Sequence, residues 1–511
     1  MRPICVRLAV AAVRPLLQRR YQEAGGQGRP LLHQPGGHSY GGSQDPVALG
    51  WQLCKSLAMT ACRHLAYSLV VAATLSLCVA SHAQVAPSSS EFNALFDDSG
   101  QVWSLTADEF AAAQSTNHFR WLSATTHDTA RSTDPRLTFA GLRVWESLAR
   151  FDTGTLKELT LSLYNRGDVG PLTEENFLQL LASIDNAVTA WTGSNGTLFK
   201  GDDRTTAITL MRKAWVKGPH RLDLLWSYTP ENREQGIFAD RPEYIRLQIT
   251  PFDPLNDPRH LIATSLQSRM KFLTLVDLRA RVSRDPDGDV LIPSVPMVDQ
   301  GPKGYCAAAV AERLLRYFGK DVDEHEIAQL ANTTARGGTS PQAMVAALRA
   351  IGDQYGLDVT IQQDFTVGDF NRLIRSYNQA ARSSQVPTIK LNLAEPVSMP
   401  QIYREMDTDL LRQSRLEDDG DLDSFGKTIT KYIDNGLPLA WAVMYGKIRE
   451  TPPVRGLGGH IRLIIGYNGA TQEILYSDTW GTGHELKRLP VNDAWTMTLG
   501  LYTVQPRDIR F

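Results

Sequence analysis

Cysteine is scarce in this sequence, and most of it lies near the N-terminus. Only Cys306 follows Ala83. The remaining four of the five cysteines in the 511 residues are Cys5, Cys54, Cys62 and Cys78. A chain that begins after Ala83 therefore has one thiol, and one thiol cannot form an intrachain disulfide. The residues around Cys306 and the motifs that follow it in the sequence therefore have to indicate its function.

The sequence also lacks an excess of charge of either sign. Its 53 basic and 55 acidic residues leave a formal net charge of −2. This balance argues against electrostatic binding to nucleic acid or to an anionic membrane surface. With 511 residues that are 42% hydrophobic, the chain is long enough for two or three globular domains.

Long apolar runs are few, and the one near the N-terminus is short. The run Leu65–Ala80 contains no charged residue, but its length of about 16 residues is below the roughly 20 that a membrane span needs. It follows basic Arg63 and precedes the small residues Ser81 and Ala83. We predict a signal peptide over 59–83, cleaved near Ala83, and an exported protein, periplasmic or secreted, without a stable membrane span. Lipid attachment is the alternative, and it would use Cys78.

Residues 1–58 show no apolar periodicity, and the stretch Gly25–Gly42 is rich in glycine, glutamine and histidine. Such a composition is not typical of a packed element. We interpret 1–58 as a leader without regular structure, or as a stretch ahead of a true start at Met59.

Residues 91–286 are predicted to form an N-terminal α+β domain of unknown role. Thr173 is typical of a helix N-cap, and apolar residues at helical spacing follow it as far as Gly193. Strands are predicted at Arg221–Tyr228 and Tyr244–Phe252. The turn-rich stretch Arg284–Asp289 is interpreted as a solvated linker, since a calcium loop would need a downstream glutamate that it lacks.

Residues 290–511 are predicted to form a second α+β domain, with a helical half followed by a strand-rich half. Helices are expected after Cys306, at 341–352, at 367–377 and at 424–435. Strands are expected at 438–445, 460–467, 473–478 and 498–505, with a turn at Asn468-Gly469.

Cys306, His460, Asp478 and Gln300 form the candidate active site. Cys306 begins a predicted helix, whose N-terminus favours a thiolate. His460 begins an apolar strand and can act as a base. Asp478 ends the next strand, where antiparallel pairing would bring it beside His460 and orient the imidazole. Gln300 can donate to an oxyanion together with the backbone N–H of Cys306.

Each of these residues also has an ordinary structural interpretation. Cys306 precedes three alanines and, taken alone, is more typical of a small core residue. Asp478 can cap a strand end. His325 and His484 compete with His460, but both lie in polar stretches and are predicted to be solvated. Trp480 is interpreted as a cover over the His460–Asp478 hydrogen bond or as core.

The order of these motifs resembles that of the papain-like cysteine peptidases. The matching features are Gln300-Gly, Gly304-Tyr-Cys306, Gly459-His460 before an apolar strand, and Asp478-Thr-Trp-Gly481. The resemblance covers roughly Ile292 to Pro506, and it is closest to the bacterial branch similar to bacteriocin leader-processing (C39-like) peptidases. Papain has a second cysteine where this chain has Lys303, a tryptophan where it has Ala307, and an asparagine where it has Asp478.

The resemblance implies an exported cysteine peptidase with a papain-like α+β domain and a peptide or protein substrate, without cofactor or metal. Cys306 would be the nucleophile, His460 the general base and acid, Asp478 the orienting carboxylate and Gln300 an oxyanion donor. Two alternatives stay open. One is a transglutaminase-like acyltransferase, and the other is a non-catalytic protein that keeps the fold to bind peptides or partners.

Overall fold

The structure is a computed structural model that describes residues 90–200, 209–231, 239–253, 273–301, 305–320, 327–329, 341–391, 398–417, 419–454 and 456–509. The predicted leader (1–58) and signal peptide (59–83) lie outside the described residues. The same holds for Lys303, Gly304 and His325.

The first half of the described chain is built mainly on antiparallel strands. Its strands are β1 (Ser90–Glu91), β2 (Arg120–Trp121), β3 (Thr129–Ser132), β4 (Leu137–Phe139), β5 (Leu142–Arg143), β6 (Glu146–Asp152), β7 (Thr155–Asn165), β8 (Thr197–Lys200), β9 (Thr209–Lys217), β10 (His220–Glu231) and β11 (Ala239–Pro251). Within the described residues, eight of them form a sheet in the order β2-β3-β6-β7-β11-β10-β9-β8, which we call the N-terminal sheet. Strands β1, β4 and β5 form a small separate sheet.

Alternating apolar residues of strand β11 belong to the hydrophobic core of this half. In β11, Ile245, Leu247 and Ile249 are fully buried. The helix at Glu174–Thr192 packs against the sheet through residues that include Phe177 and Val188. The helices and helical turns of this half are Phe92–Leu95, Gln101–Ser104, α1 (Ala107–Ala113), Ser115–Asn117, α2 (Arg166–Val169) and α3 (Glu174–Thr192).

The predicted elements of this half are confirmed. The hydroxyl of Thr173 accepts from the backbone N–H of Asn176, and Gly193 ends α3 in the left-handed conformation with φ of 71°. The predicted strands at 221–228 and 244–252 correspond to β10 and β11, which pair with each other.

The second half combines helices with a second antiparallel sheet. Its helices are α4 (Leu275–Ala280), α5 (Cys306–Tyr317), α6 (Pro341–Tyr355), α7 (Val367–Ser383), α8 (Met399–Glu405), α9 (Thr408–Arg415), α10 (Asp419–Asp434) and α11 (Val491–Met497). Its strands are β12 (Ser283–Arg284), β13 (Asp289–Leu291), β14 (Leu357–Asp364), β15 (Leu439–Tyr445), β16 (Gly458–Asn468), β17 (Glu473–Ser477), β18 (Lys487–Pro490) and β19 (Thr498–Pro506).

The strands of this half form one sheet, which we call the C-terminal sheet. Its order is β12-β13-β16-β15-β19-β14, and β17 pairs with both β16 and β18. The buried residues of β15, from Leu439 to Met444, lie at the centre of the core. The apolar residues of α5 belong to the same core. The described chain is therefore a mixed α/β protein with antiparallel sheets, as the sequence predicts.

The prediction of a solvated stretch at Arg284–Asp289 is confirmed for residues 284–287, which are exposed, and is wrong for Asp289. Strands β12 and β13 form a hairpin across this stretch, and β13 pairs with β16, with Asp289 opposite Asn468. Asp289 is buried, accepts from Nδ2 of Asn468 at 2.7 Å and pairs with Arg488. Asp289 therefore has fixed partners, which a solvated turn would not provide. The hairpin belongs to the C-terminal sheet.

The two sheets each have a hydrophobic core of their own. Residues Ser89–Phe511, which include both sheets, nevertheless form one compact unit. The division into domains at 91–286 and 290–511 therefore stays a prediction. In the part of the chain that the structure describes, no helix has the length and apolar character needed to cross a bilayer.

Candidate active site

Cys306 occupies the first position of helix α5, directly after Tyr305. Cys306 as a residue is partly buried and packs against the core, whereas the residues from Ala307 to Leu315 are buried within it. Small alanines on the first turn let the helix pack closely on the core. The first N–H groups of a helix have no partner within it, so they favour a negative charge there.

The pKa of the Cys306 thiol lies below its ordinary value. Burial works against ionisation, but a hydrogen bond with His460, the charge of His460, and the backbone N–H groups of Ile461 and Ala307 outweigh it. These contacts stabilise the thiolate, which is the nucleophilic form of cysteine.

His460 and Asp478 form a buried pair on adjacent strands. His460 lies near the start of β16, and Asp478 follows directly after β17, which pairs with β16. Nε2 of His460 is 2.6 Å from Oδ1 of Asp478. The same carboxylate oxygen accepts from the backbone N–H of Thr479 at 2.9 Å. Because Nε2 is bonded to Asp478, Nδ1 is the ring nitrogen left to bond Cys306.

The pKa of His460 is raised to about 9. Burial alone would lower it, but the charge of Asp478, the hydrogen bond with Asp478 and the contacts with Cys306 outweigh burial. The pKa of Asp478 is held well below its usual range, since the charges of His460 and Arg462 outweigh its burial. The arrangement therefore favours a thiolate, an imidazolium and a carboxylate in a row.

Trp480 covers the His460–Asp478 pair. Its ring stacks on the imidazole with centroids 4.5 Å apart and planes at 10°. Tyr445 contacts both rings edge-on. Only 4% of the His460 side chain is exposed. Trp480 thus limits the access of water to this hydrogen bond, in agreement with the sequence interpretation.

Gln300 lies beside the residue that follows Asp478. Its backbone N–H donates to the carbonyl of Thr479 at 2.9 Å, and its side-chain oxygen accepts from the hydroxyl of Thr479 at 2.6 Å. Thr479 therefore holds the side-chain amide of Gln300 in one orientation.

A buried charge cluster behind Asp478 is missing from the sequence prediction. Arg462 is fully buried, and its Nε is 2.9 Å from Oδ2 of Asp478, an ion pair without a well-aligned hydrogen bond. Arg462 also pairs with Glu450 at 2.9 Å. Glu450 accepts from Nζ of Lys487 at 2.9 Å and from the hydroxyl of Tyr476 at 2.6 Å.

The sequence does carry a signal for Arg462. It lies two residues after His460 in an apolar strand, and residues two apart point to the same face. A charged residue in such a strand needs a buried partner of opposite charge. With Cys306 and His460 ionised, the positive charges of His460, Arg462 and Lys487 match negative charges on Cys306, Asp478 and Glu450.

Arg313 is a second residue at this candidate site that the sequence pattern does not single out. It lies on α5 and is buried, and its Nη1 donates to the backbone carbonyl of Asp478 at 2.8 Å. Its Nε donates to the carbonyl of Pro296 at 2.7 Å, and its Nη2 donates to the hydroxyl of Ser477. Burial lowers its pKa to about 10. Arg313 therefore fixes the helix of Cys306 to the strand end of Asp478.

The predictions for the two histidines that compete with His460 have different outcomes. His325 lies outside the described residues. The prediction that His484 is solvated is wrong, because it is half-buried against Trp480, with ring centroids 5.5 Å apart. Within the described ranges, no group of three or more histidine, cysteine, aspartate or glutamate side chains is arranged to hold a metal ion.

The segment that contains this site matches the model of a known protein family. Residues 292–499 match the model of the Peptidase_C39 like family, which confirms the resemblance to the C39-like branch and indicates a cysteine peptidase-like fold for this segment. A search of curated proteins finds no match. The chain is also similar to the crystal structure of the peptidase domain of Streptococcus ComA, a bi-functional ABC transporter involved in a quorum-sensing pathway. The identity is 14%, the match covers 42% of this chain and 99% of that one, and the TM-score of 0.24 is too low to assign a fold or an activity.

Proposed function

We propose that the segment matching the Peptidase_C39 like family is an active cysteine peptidase that hydrolyses peptide bonds. The observation that carries this proposal is the continuous chain from Cys306 through His460 to Asp478. His460 bonds to Asp478 through Nε2 at 2.6 Å, interacts with the Cys306 thiol, and lowers the pKa of that thiol. A buried structural cysteine has no need of an adjacent imidazolium.

In the proposed reaction, the thiolate of Cys306 attacks the carbonyl carbon of the substrate. A sulfur–carbon bond forms, and the carbonyl electron pair moves to the oxygen. The amide of Gln300 and the backbone N–H of Cys306 donate to this oxyanion. When the carbonyl re-forms, the carbon–nitrogen bond breaks and the imidazolium of His460 gives its proton to the leaving amine.

Water completes the proposed cycle. His460, now neutral, accepts a proton from water as the water oxygen attacks the thioester carbon. The carbon–sulfur bond then breaks, the Cys306 thiolate and the His460 imidazolium are restored, and the product leaves as a carboxylic acid that loses its remaining proton to solvent. Asp478 stays ionised throughout and holds the imidazole in one tautomer and orientation. This chain of contacts supports a papain-like catalytic apparatus.

Peptide hydrolysis is tested with the full chain, a mixture of peptides and mass spectrometry. We expect cleavage products whose masses show the addition of one water molecule for each peptide bond cut. The matched variant Cys306→Ala should give no such products. Adding a primary amine separates the acyltransferase alternative, because amide cross-links without hydrolysis would contradict a peptidase. Peptide binding without hydrolysis and without cross-linking would favour the non-catalytic alternative.

Export is proposed on the sequence pattern alone. The layout of Arg63, Leu65–Ala80 and Ala83 supports removal of a signal peptide. N-terminal sequencing of the protein recovered from outside the cytoplasm should begin near Gln84. A protein that keeps residues before Ala83 at that location would contradict cleavage.

A further inference from the structure

Arg131 connects the N-terminal sheet to the segment that carries Gln300. It lies on β3, and only 8% of its side chain is exposed. Its Nε pairs with Glu146 on the neighbouring strand β6. Its Nη1 lies 3.2 Å from Oδ2 of Asp299 and donates to the backbone carbonyl of Asp299, also at 3.2 Å. Glu146 therefore holds the guanidinium in place while it binds the residue before Gln300.

Asp299 in turn fixes the local path of the chain around Gln300. Its Oδ1 accepts from the backbone N–H of Gly301 at 2.9 Å, and its backbone pairs with Trp480. Gly301 has a φ of +63°, and a Cβ added there would lie 2.8 Å from Nη2 of Arg131. Arg131 thus lies against both residues that flank Gln300.

The residue before Cys306 also contacts the N-terminal half. The hydroxyl of Tyr305 donates to Oδ1 of Asn165 at 3.4 Å. Gly167 lies so close to Tyr305 that a Cβ there would be 1.8 Å from its hydroxyl oxygen. The N-terminal half therefore contacts the chain next to Gln300 and again next to Cys306.

We propose that Arg131 is a positioning residue for the oxyanion donor Gln300, so that the N-terminal sheet completes the active site. This inference rests on the proposed peptidase function. Arg131 lies outside the family match at 292–499, so it is a feature of this chain beyond the matched segment. An oxyanion donor has to lie about 2.7–3.1 Å from the oxygen, and a displacement of about 1 Å costs roughly 100-fold in rate.

The test compares two reactions of the full-length protein with small probes. Acylation of Cys306 by p-nitrophenyl acetate develops an oxyanion, and its rate is measured from the burst of p-nitrophenolate release. Alkylation by iodoacetamide needs the Cys306 thiolate but develops no oxyanion. We expect Arg131→Met to slow acylation by about 10–100-fold, while alkylation stays within about 3-fold of the wild type.

Four further variants separate positioning from folding. Arg131→Lys keeps the charge and should recover part of the acylation rate. Asp299→Asn keeps an acceptor for Gly301 and should slow acylation, because it removes the carboxylate that pairs with Arg131. Adding it to Arg131→Met should cost little beyond Arg131→Met alone, since both changes act on the same ion pair. Arg212→Met is the control, because Arg212 pairs with Asp223 at 2.6 Å within the N-terminal sheet; we expect both of its rates to match the wild type.

Unchanged acylation in both Arg131→Met and Asp299→Asn would overturn the inference. Equal slowing of acylation and alkylation in these variants would also overturn it, because general disruption would then explain the loss. A wild-type protein that shows neither a burst nor fast alkylation at Cys306 would overturn the proposed function, and the inference with it.

Discussion

Arg313 donates a hydrogen bond from Nη1 to the backbone carbonyl of Asp478 at 2.8 Å. The donor lies on the helix that begins at Cys306, and the acceptor belongs to the residue that bonds His460. Both residues are essentially inaccessible to solvent. The separation between Cys306 and Asp478 is therefore set by a buried cation bonded to backbone, in addition to the packing of helix on sheet.

Replacing Arg313 by methionine should destabilise the protein strongly. The change leaves the carbonyls of Pro296 and Asp478 without this donor, and each buried unsatisfied group costs about 1–3 kcal/mol. We expect the free energy of unfolding to fall by at least about 2 kcal/mol in urea titrations. Arg372→Met is the control, since its side chain is 70% exposed and its change should stay within about 0.5 kcal/mol. Equal stability of the two variants would contradict this role.

The pH dependence of hydrolysis should show two limbs. kcat/KM should rise as the Cys306 thiol ionises, at a pH below the ordinary range of thiols, because its pKa is lowered. It should fall above pH about 9, as His460 loses the proton that the leaving group needs.

Asp478→Asn should move the alkaline limb to lower pH. The negative charge of Asp478 raises the pKa of His460, so its removal lets the imidazolium deprotonate earlier. Initial rates measured from pH 5 to pH 10 with both proteins check this. An alkaline limb at the same pH in Asp478→Asn would show that another group sets it.

Trp480→Ala should expose the hydrogen bond between His460 and Asp478 to water. Trp480 stacks on the imidazole at 4.5 Å, and the exclusion of water strengthens electrostatic contacts. We expect kcat to fall by about 10-fold with little change in KM. Trp480→Phe keeps an aromatic ring and should retain most of the rate. A wild-type kcat in Trp480→Ala would mean that the cover is unnecessary.

Glu450→Gln should destabilise the fold through the charge cluster. Glu450 pairs with Arg462 and Lys487, and all three side chains are fully buried. Breaking a buried pair costs about 3–5 kcal/mol, which urea unfolding would detect. Glu473→Gln is the matched control, because Glu473 is 26% exposed and lies 3.5 Å from Arg488, and we expect less than about 1 kcal/mol.

The sequence predicts the elements of the second half well, since their patterns are local. The apolar run after His460 and the turn signal at Asn468-Gly469 predict β16 and β17, and the pairing of these strands brings Asp478 back to His460. The burial of Arg462 is harder to predict. The alternation of residues along the strand shows which face Arg462 lies on, but it does not show which charged residue pairs with it.

Contacts between distant segments lie beyond local patterns. Arg131 and Asp299 are 168 positions apart, and no periodicity links a strand of one sheet to a loop of the other. The hairpin at Arg284–Asp289 escapes prediction for a similar reason. Its turn residues are typical of a linker, and only the pairing of β13 with β16 shows that they belong to the sheet.

If His460 holds Cys306 as a thiolate, the rate at which iodoacetamide alkylates Cys306 at pH 6 has to depend on His460. We expect fast labelling at Cys306 in the wild type and a rate at least about 10-fold lower in His460→Ala, because an unassisted thiol is almost fully protonated at that pH. Equal rates in the two proteins, with the label mapped to Cys306 by mass spectrometry, would contradict it.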